Sequence, residues 1–214
     1  MTLEVSDREL LDRWSRGDAR AGNDLVKRHF SCLYGFFRNK LDGDIDDIIQ
    51  HTFLACVEAL PRFRREASFR TFLFAIAHKQ LLMLLRKRGR APEQKALSEV
   101  SICELGVPDP TPTMEMERKR EQLLLLRALR RLPLADQTAL ELYYWEKLPG
   151  QDIAEILELP HATVRTRLRR ARQRLDRIIE ELGQDQGLIA STLDGFDHWA
   201  AEIRRDQLGH DGAP

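Results

Sequence analysis

Residues 153–175 read IAEILELPHATVRTRLRRARQRL and have the pattern of two helices joined by a tight turn. In the second helix, apolar side chains recur at spacings of four, three and four residues, at Val164, Leu168, Ala171 and Leu175. Because a helix advances by about 100° per residue, these side chains form one stripe that must be buried. Together with the preceding helix and the Leu-Pro-His turn, the stripe is typical of a helix-turn-helix.

The opposite face of the second helix is polar and cationic. It carries Ala162, Thr166, Arg169, Arg170 and Gln173, flanked by Arg165, Arg167 and Arg172. Seven arginines and one acidic residue occur between His161 and Arg177, and the major groove of DNA admits such a helix. The alternative is a solvated surface helix, as most charged helices are, but the helix and turn before it favour DNA binding.

Charge alternates in blocks along the chain, although the 214 residues have a net charge of zero. Residues 1–90 have a net charge of +5 (17 basic and 12 acidic), and residues 118–182 have +4 (14 and 10). Residues 91–117 have −5 (1 and 6), and residues 183–214 have −4 (2 and 6). The zero net charge alone argues against nucleic-acid binding, but the two basic blocks indicate two nucleic-acid-binding domains.

Several classes of protein are disfavoured by what the sequence lacks. Cys32, Cys56 and Cys103 lie far apart without a CxxC pair, which disfavours a zinc site or a disulfide framework and favours a reducing compartment. The histidines show no metal-ligand spacing, and no nucleotide-binding or hydrolase motif occurs, so we expect no enzyme, metal or cofactor. Without a signal segment or a membrane-length apolar run, the sequence predicts a soluble, cytoplasmic protein.

Helical periodicity predominates, and strand-like alternation is absent. The predicted fold is all-α, with two small helical domains joined by a flexible linker and the second ending in the helix-turn-helix. We predict a first domain at residues 1–90, an acidic proline-containing linker at 91–113, a second domain at 114–182 and an acidic extension at 183–214. Ser6 and Ser68 are predicted N-caps. Phe30 and Val57 are among the predicted core positions.

Two segments and their order resemble a known family. The first is DIDDIIQHTFLACVEALPRFRREASFRTFLFAIAHKQ, residues 44–80, and the second is LRRLPLADQTALELYYWEKLPGQDIAEILELPHATVRTRLRRARQRL, residues 129–175. With the acidic linker between them, they resemble the bacterial sigma-70 family of RNA polymerase initiation factors, specifically the short extracytoplasmic function group. The resemblance covers roughly residues 6–182.

The resemblance implies that the first domain is sigma region 2, which docks on the β′ clamp of core RNA polymerase. The residues at the family's docking positions are Asp44, Asp46, Asp47 and Gln50. His51 stands where the family usually has a glutamate. The carboxylates also lie at the start of a predicted helix, where they stabilise the helix dipole.

By the same resemblance, the end of the first domain recognises the −10 promoter element and helps to separate the strands. The candidate contacts are Arg64, Arg65, Ser68, Phe69, Arg70, Thr71 and Phe72. Aromatic rings stack on exposed bases and arginines hold the backbone of a single strand. Periodicity makes Phe69 and Phe72 equally good core positions, and Arg65 stands where the family often has a glycine.

The second domain resembles sigma region 4, which is winged-helix-like, contacts the polymerase β flap and reads the −35 element. The candidate contacts are Ala162, Thr163, Arg165, Thr166, Arg167, Arg169, Arg170, Arg172 and Gln173. Arginine can bind guanine O6 and N7 with two hydrogen bonds or can hold phosphate. Arg167 and Arg172 are the expected phosphate contacts.

The resemblance implies core RNA polymerase and promoter DNA as partners, in many members also an anti-sigma protein, and a monomer when free. The alternative is a stand-alone helix-turn-helix repressor or activator, which has no need of the 44–80 segment. For the extension at 183–214, the sequence leaves two possibilities. It is either a frayed, weakly helical tail or an element around Phe196 and Trp199 that folds back on a basic domain.

Overall fold

The fold is helical throughout the described chain. The computed structural model describes residues 5–41, 45–63, 66–88, 120–183, 185–196, 198 and 201. In this part, nine α-helices and one short 3₁₀-helix form, and no strand does. The all-α prediction is therefore confirmed. The second domain was predicted to be winged-helix-like, and its described residues form helices without a β-wing. The predicted linker at 91–113 lies outside the described residues.

Four helices form the first group: α1 (Asp7–Ser15), α2 (Ala19–Arg38), α3 (Ile45–Ala59) and α4 (Phe69–Lys87), with a 3₁₀-helix at Leu60–Arg62 after α3. Both predicted serine caps are confirmed. Ser6 Oγ accepts a hydrogen bond from the Glu9 amide at 3.3 Å, and Ser68 Oγ accepts one from the Thr71 amide at 3.0 Å. These bonds satisfy backbone donors that have no partner within the helix and so fix where α1 and α4 begin.

Asp7 ties α1 to α2. Its carboxylate accepts a hydrogen bond from Arg28 Nη1 at 2.6 Å and lies 2.7 Å from His29 Nε2. The bond to His29, together with that from Arg28, lowers the pKa of Asp7 to about 2 although partial burial opposes this. The ionised form of Asp7 is therefore stabilised in the folded protein.

Two predicted core positions are wrong. Phe30 is 37% exposed and Val57 is 45% exposed. In α3 the buried face passes through Ile49, Thr52 and Cys56, and Thr52 satisfies its hydroxyl by donating to the Ile48 carbonyl oxygen at 2.7 Å. The prediction from periodicity considered only apolar residues and therefore missed Thr52. A threonine can be buried when its hydroxyl has a hydrogen-bond partner.

The second group has five helices: α5 (Arg120–Arg130), α6 (Leu134–Tyr144), α7 (Gly150–Ile156), α8 (His161–Leu182) and α9 (Gln186–Asp194). The predicted helix-turn-helix is α7 and α8. In its turn, Glu158 has a φ of 54°, a left-handed conformation that non-glycine residues seldom adopt. The amide of Leu159 donates to the Ala154 carbonyl oxygen at 2.9 Å, which closes the end of α7.

The extension after α8 packs into the apolar core of the second group of helices. Of the predicted α8 stripe, Val164, Ala171 and Leu175 are fully buried, and Leu168 is half-buried. Ile189 of α9 and Phe196 are buried in one apolar cluster with Ala171 and Leu175. The described part of the extension therefore folds back on the second group, while Trp199 lies outside the described residues.

The two groups pack against each other. Helix α4 lies on α7, and one apolar cluster includes Leu73 and Phe74 from α4 together with Ile153 and Ile156 from α7. Lys40, at the end of α2, is completely buried and pairs with Glu141 of α6. The structure thus brings the first basic block into direct contact with the helix-turn-helix.

Candidate nucleic-acid interface

Helix α8 presents an exposed polar face at the surface. Its exposed candidate residues are Ala162, Thr163, Arg165, Thr166, Arg169, Arg170 and Gln173. The face begins at the N-terminus of the helix, where Pro160 provides no side-chain cap. Unpaired backbone donors and the positive end of the helix dipole therefore coincide with the arginines, an arrangement that suits an anion.

The candidate Arg167 and its neighbour on the helix, Arg174, are engaged within the protein. Arg167 Nη1 donates to Asp136 Oδ1 at 3.1 Å, and Arg174 Nη1 donates to the other oxygen of the same carboxylate at 2.7 Å. Asp136 belongs to α6 and is buried. It therefore holds α8 against α6, and Arg167 serves this contact in the structure.

Arg172 is held by the C-terminal extension. Its Nε donates to Asp176 Oδ1 at 2.8 Å, and its guanidinium lies 3.8 Å from the centre of the Phe196 ring. A cation over an aromatic face is favourable, more so when both groups are shielded from water. The sequence predicted a phosphate contact here, and the structure places Arg172 between α8 and the extension.

A cleft of about 510 Å³ runs beside the exposed face of α8. Its lining includes Arg165, Arg169 and Gln173, together with Tyr143 from α6. Tyr143 is exposed, and its ring packs edge-on against Tyr144 with centres 5.0 Å apart. Sequence reasoning missed Tyr143. The adjacent tyrosine pair was the available signal, because neighbours on a helix point about 100° apart and one of them often lies at the edge of the buried face.

The −10 candidates on α4 are mostly covered. Phe69 and Thr71 are buried, while Arg70 and Phe72 are half-buried and Ser68 is exposed. Phe69 packs edge-on against the ring of His29, with centres 5.4 Å apart, and Phe72 stacks on Phe63 at 4.3 Å. The first aromatic is thus a core residue in this conformation, and the second forms a half-exposed pair with Phe63.

Arg70 and Thr71 contact the second group directly. Arg70 pairs with Glu146, and the Thr71 hydroxyl donates to Asp152 Oδ2 at 2.6 Å. Farther along α4, Lys79 Nζ lies 2.8 Å from Glu158 Oε1. The polar side chains of α4 therefore face carboxylates of the second group.

The docking candidates Asp46, Asp47 and Gln50 are exposed on α3. The same face continues through Leu54, which is 60% exposed, and Val57. From Asp47 these residues follow at spacings of three, four and three, so they form one stripe. The sequence analysis did not identify Leu54 and predicted Val57 to be a core residue. Two apolar residues on the exposed face of a helix indicate a surface that binds another protein.

Three candidates, Asp44, Arg64 and Arg65, lie outside the described residues. Within the described part of the chain, no group of three or more His, Cys, Asp or Glu side chains could hold a metal ion. No helix of that part is long and apolar enough to cross a membrane.

Comparison with known proteins identifies two sequence families. The family described as "Sigma-70 region 2" matches residues 25–91, and the family described as "Sigma-70, region 4" matches residues 122–175. The chain is 30% identical over 188 residues to the ECF RNA polymerase sigma-E factor of Haemophilus influenzae, covering 85% of this chain and 100% of that protein. It is 29% identical over 190 residues to the sigma-E factor of Escherichia coli K12, covering 85% and 98%.

Two solved structures have a similar fold. The structure of CnrH in complex with the cytosolic domain of CnrY superposes with a TM-score of 0.60 at 23% identity, covering 83% of this chain and 99% of that chain. The sigma factor RpoE in complex with the anti-sigma factor NepR, from Bartonella quintana, gives a TM-score of 0.56 at 18% identity, covering 75% and 98%. These two structures show that the fold of the chain is similar to theirs over most of its length.

Proposed function

The chain belongs to the extracytoplasmic function group of the sigma-70 family, and from this premise we propose how its two domains divide the work of promoter recognition. The first domain binds core RNA polymerase and reads the −10 element, and the second reads the −35 element. The exposed cationic face of α8 is the observation that carries the proposal. The bond-making chemistry belongs to the polymerase, so we assign no catalytic residue to this chain.

For the −35 element, we assign base and backbone contacts to the exposed residues of α8. Arg169 and Arg170 lie at the centre of that face, where a helix in the major groove meets base edges. Arg167 contacts α6, and Arg172 contacts the extension. We assign to both the role of positioning α8 rather than of contacting DNA. Tyr143 lines the same cleft and is a further candidate contact.

For core polymerase, we assign docking to the exposed stripe of α3. Asp46, Asp47 and Gln50 supply polar contacts, and Leu54 and Val57 supply apolar area beside them. Interfaces combine an apolar centre with a polar rim in this way. The sigma-70 membership supports a cytoplasmic location.

Binding to purified core polymerase tests the docking assignment. Asp47→Lys reverses a charge on the docking stripe, and we expect it to weaken binding by at least about tenfold, as charge reversal at an interface does. Asp24→Lys makes the same charge change at an exposed position of α2 and serves as the control. Equal binding by both variants would contradict the assignment of α3 to core polymerase.

A further inference from the structure

The C-terminal extension is anchored to the second domain by Phe196. This ring is 1% exposed, although it lies beyond the family match to the second domain, which ends at residue 175. It packs edge-on against Tyr144 and Trp145, with ring centres 4.7 and 6.0 Å away, and the Arg172 guanidinium lies 3.8 Å from its centre. Phe196 is therefore held by side chains from α8 and from the C-terminal end of α6.

Two of these neighbours also line the cleft beside the exposed face of α8. Tyr144 and Arg172 form part of its wall, together with exposed arginines of α8. Tyr143, which the proposed function assigns as a further candidate DNA contact, packs edge-on against Tyr144 with ring centres 5.0 Å apart. A chain of direct contacts thus leads from Phe196 to the side chains that we assign to DNA.

The extension also fixes the direction of the Arg172 side chain. Its Nη2 donates to the Leu193 carbonyl oxygen at 3.4 Å, its Nε donates to Asp176 Oδ1 at 2.8 Å, and its guanidinium lies over the Phe196 ring. An arginine side chain in water samples many rotamers, and these contacts confine it to one. Because Leu193 and Phe196 follow α8 in the chain and pack back on it, they set the place of Arg172 in the wall of the cleft.

Close packing at Gly183 directs the extension back to the second domain. A Cβ atom at Gly183 would overlap the Ile189 side chain and lie 3.1 Å from the Ile179 carbonyl oxygen, so only glycine leaves room for this approach. Asp185 then caps α9 by accepting a hydrogen bond from the Leu188 amide at 3.1 Å. The extension therefore has a tightly packed start, a capped helix and a buried anchor.

We propose that Phe196 is a positioning residue for recognition of the −35 element. By holding Tyr144 and Arg172, it fixes the wall of the cleft relative to the exposed face of α8, although it does not touch DNA itself. A recognition site needs its side chains held within about 0.5 Å by the residues that support them. The inference rests on the proposed function, which assigns the exposed face of α8 to the −35 element.

Transcription from a matched pair of templates tests this role. The first template is a promoter located by mapping transcript starts with this protein, and the second is the same promoter with its −35 element replaced. Purified core polymerase is combined with the full-length unsubstituted protein or with Phe196→Leu, which keeps an apolar side chain but removes the aromatic ring. The measured quantity is the ratio of the transcript yields from the two templates.

We expect the unsubstituted protein to give a ratio of at least about ten, because each mismatched base pair weakens specific binding several-fold. In Phe196→Leu the ratio should be at least about threefold smaller, since the support of the cleft is lost. A loss of folded protein lowers the yield from both templates by the same factor and leaves the ratio unchanged. The ratio therefore separates positioning from stability alone.

Leu124→Ala is the matched control for stability. Leu124 is buried in the same apolar cluster as Phe196, but it belongs to α5 and is not part of the wall of the cleft. Its truncation leaves a cavity and destabilises the domain, but the ratio should stay within about twofold of that of the unsubstituted protein. A ratio reduced as strongly in Leu124→Ala as in Phe196→Leu would overturn the proposal, because any loss of packing would then have the same effect.

Gly183→Ala provides a second variant, which leaves Phe196 in the chain. The added methyl group displaces Ile189 and with it the extension, so we again expect a smaller ratio. An undiminished ratio in both variants would overturn the proposal. So would a higher yield from the intact promoter, which would show that the acidic extension competes with DNA. A ratio near one with the unsubstituted protein would instead contradict the proposed function, and the inference with it.

Discussion

At the scale of single residues, His78 makes the stability of the protein depend on pH. It is buried on α4, and burial lowers its pKa to about 4, with Lys40 and Lys79 acting in the same direction and Glu158 opposing them. In an unfolded chain a histidine has a pKa near 6.5. Between these values, the unfolded state binds a proton that the folded state does not, so the free energy of unfolding falls as the pH falls.

We therefore expect His78 to reduce the free energy of unfolding by roughly 2 kcal/mol between pH 7 and pH 5. Urea unfolding followed by circular dichroism at the two pH values measures this. The loss should be clearly smaller in His78→Gln, whereas His161→Gln, at an exposed position, should retain it. An identical pH dependence in His78→Gln and in the unsubstituted protein would contradict the explanation.

Sequence reasoning succeeded for residues whose roles are local. Ser6 and Ser68 were predicted as caps, because a capping bond joins residues three apart in the chain. It failed for Lys40, since lysine is almost always exposed and its partner Glu141 is 101 residues away. No local pattern indicates such a pair.

At the scale of elements, helix α8 should carry the DNA affinity of the second domain. Arg169→Ala and Arg170→Ala each remove an exposed guanidinium from the centre of its face. A good two-bond contact to a base discriminates by about 1–3 kcal/mol, so we expect each variant to lose roughly tenfold in transcription from its promoters. Transcript yield in a reconstituted assay is the measurement.

The control for the α8 experiment is Arg177→Ala, which removes an exposed arginine lower on the same helix. It should leave transcription within about twofold, as surface substitutions usually do. Binding to core polymerase should be the same for all three variants. If Arg177→Ala were as defective as the other two, general charge rather than the α8 face would be responsible.

The extension stabilises the second domain, and Phe196 is its anchor. Its ring is 1% exposed and lies edge-on to Tyr144 and Trp145, with Arg172 over its face. We expect Phe196→Ala to lower the free energy of unfolding by about 3–5 kcal/mol, as other buried phenylalanine truncations do.

Urea unfolding tests this role of Phe196, with Gln186→Ala, an exposed change at the start of α9, as the control. A Phe196 variant as stable as that control would show the extension to be the frayed tail that the sequence also allowed. The sequence could not choose between the two, because Asp194 and Gly195 interrupt the apolar pattern before Phe196.

Element periodicity predicted α8 well but α3 only in part. The stripe at Val164, Ala171 and Leu175 is buried as expected because one long helix has one buried face. Helix α3 has apolar residues on two faces, and Leu54 and Val57 belong to the exposed one. Apolar spacing alone cannot separate a core from a surface that binds another protein.

At the scale of the whole molecule, the arrangement of the domains was beyond sequence reasoning. The sequence predicted two independent basic domains and placed Phe69, Arg70 and Thr71 at a DNA-binding surface. The structure joins the domains through α4 and α7, and Arg70 and Thr71 contact carboxylates of the second domain, while Phe69 is buried in the first. The ion pairs of this contact join side chains far apart in the chain, and each of those charged residues taken alone looks like an ordinary surface residue.

Mapping of transcript starts tests the central claim most directly. Purified core polymerase is combined with this protein over fragmented genomic DNA from its source, and the 5′ ends of the transcripts are sequenced. We expect starts that require the protein and share two upstream elements, at the −35 and −10 positions. Transcription that is the same with and without the protein, together with specific duplex binding by the protein alone, would contradict the account and indicate a stand-alone repressor or activator.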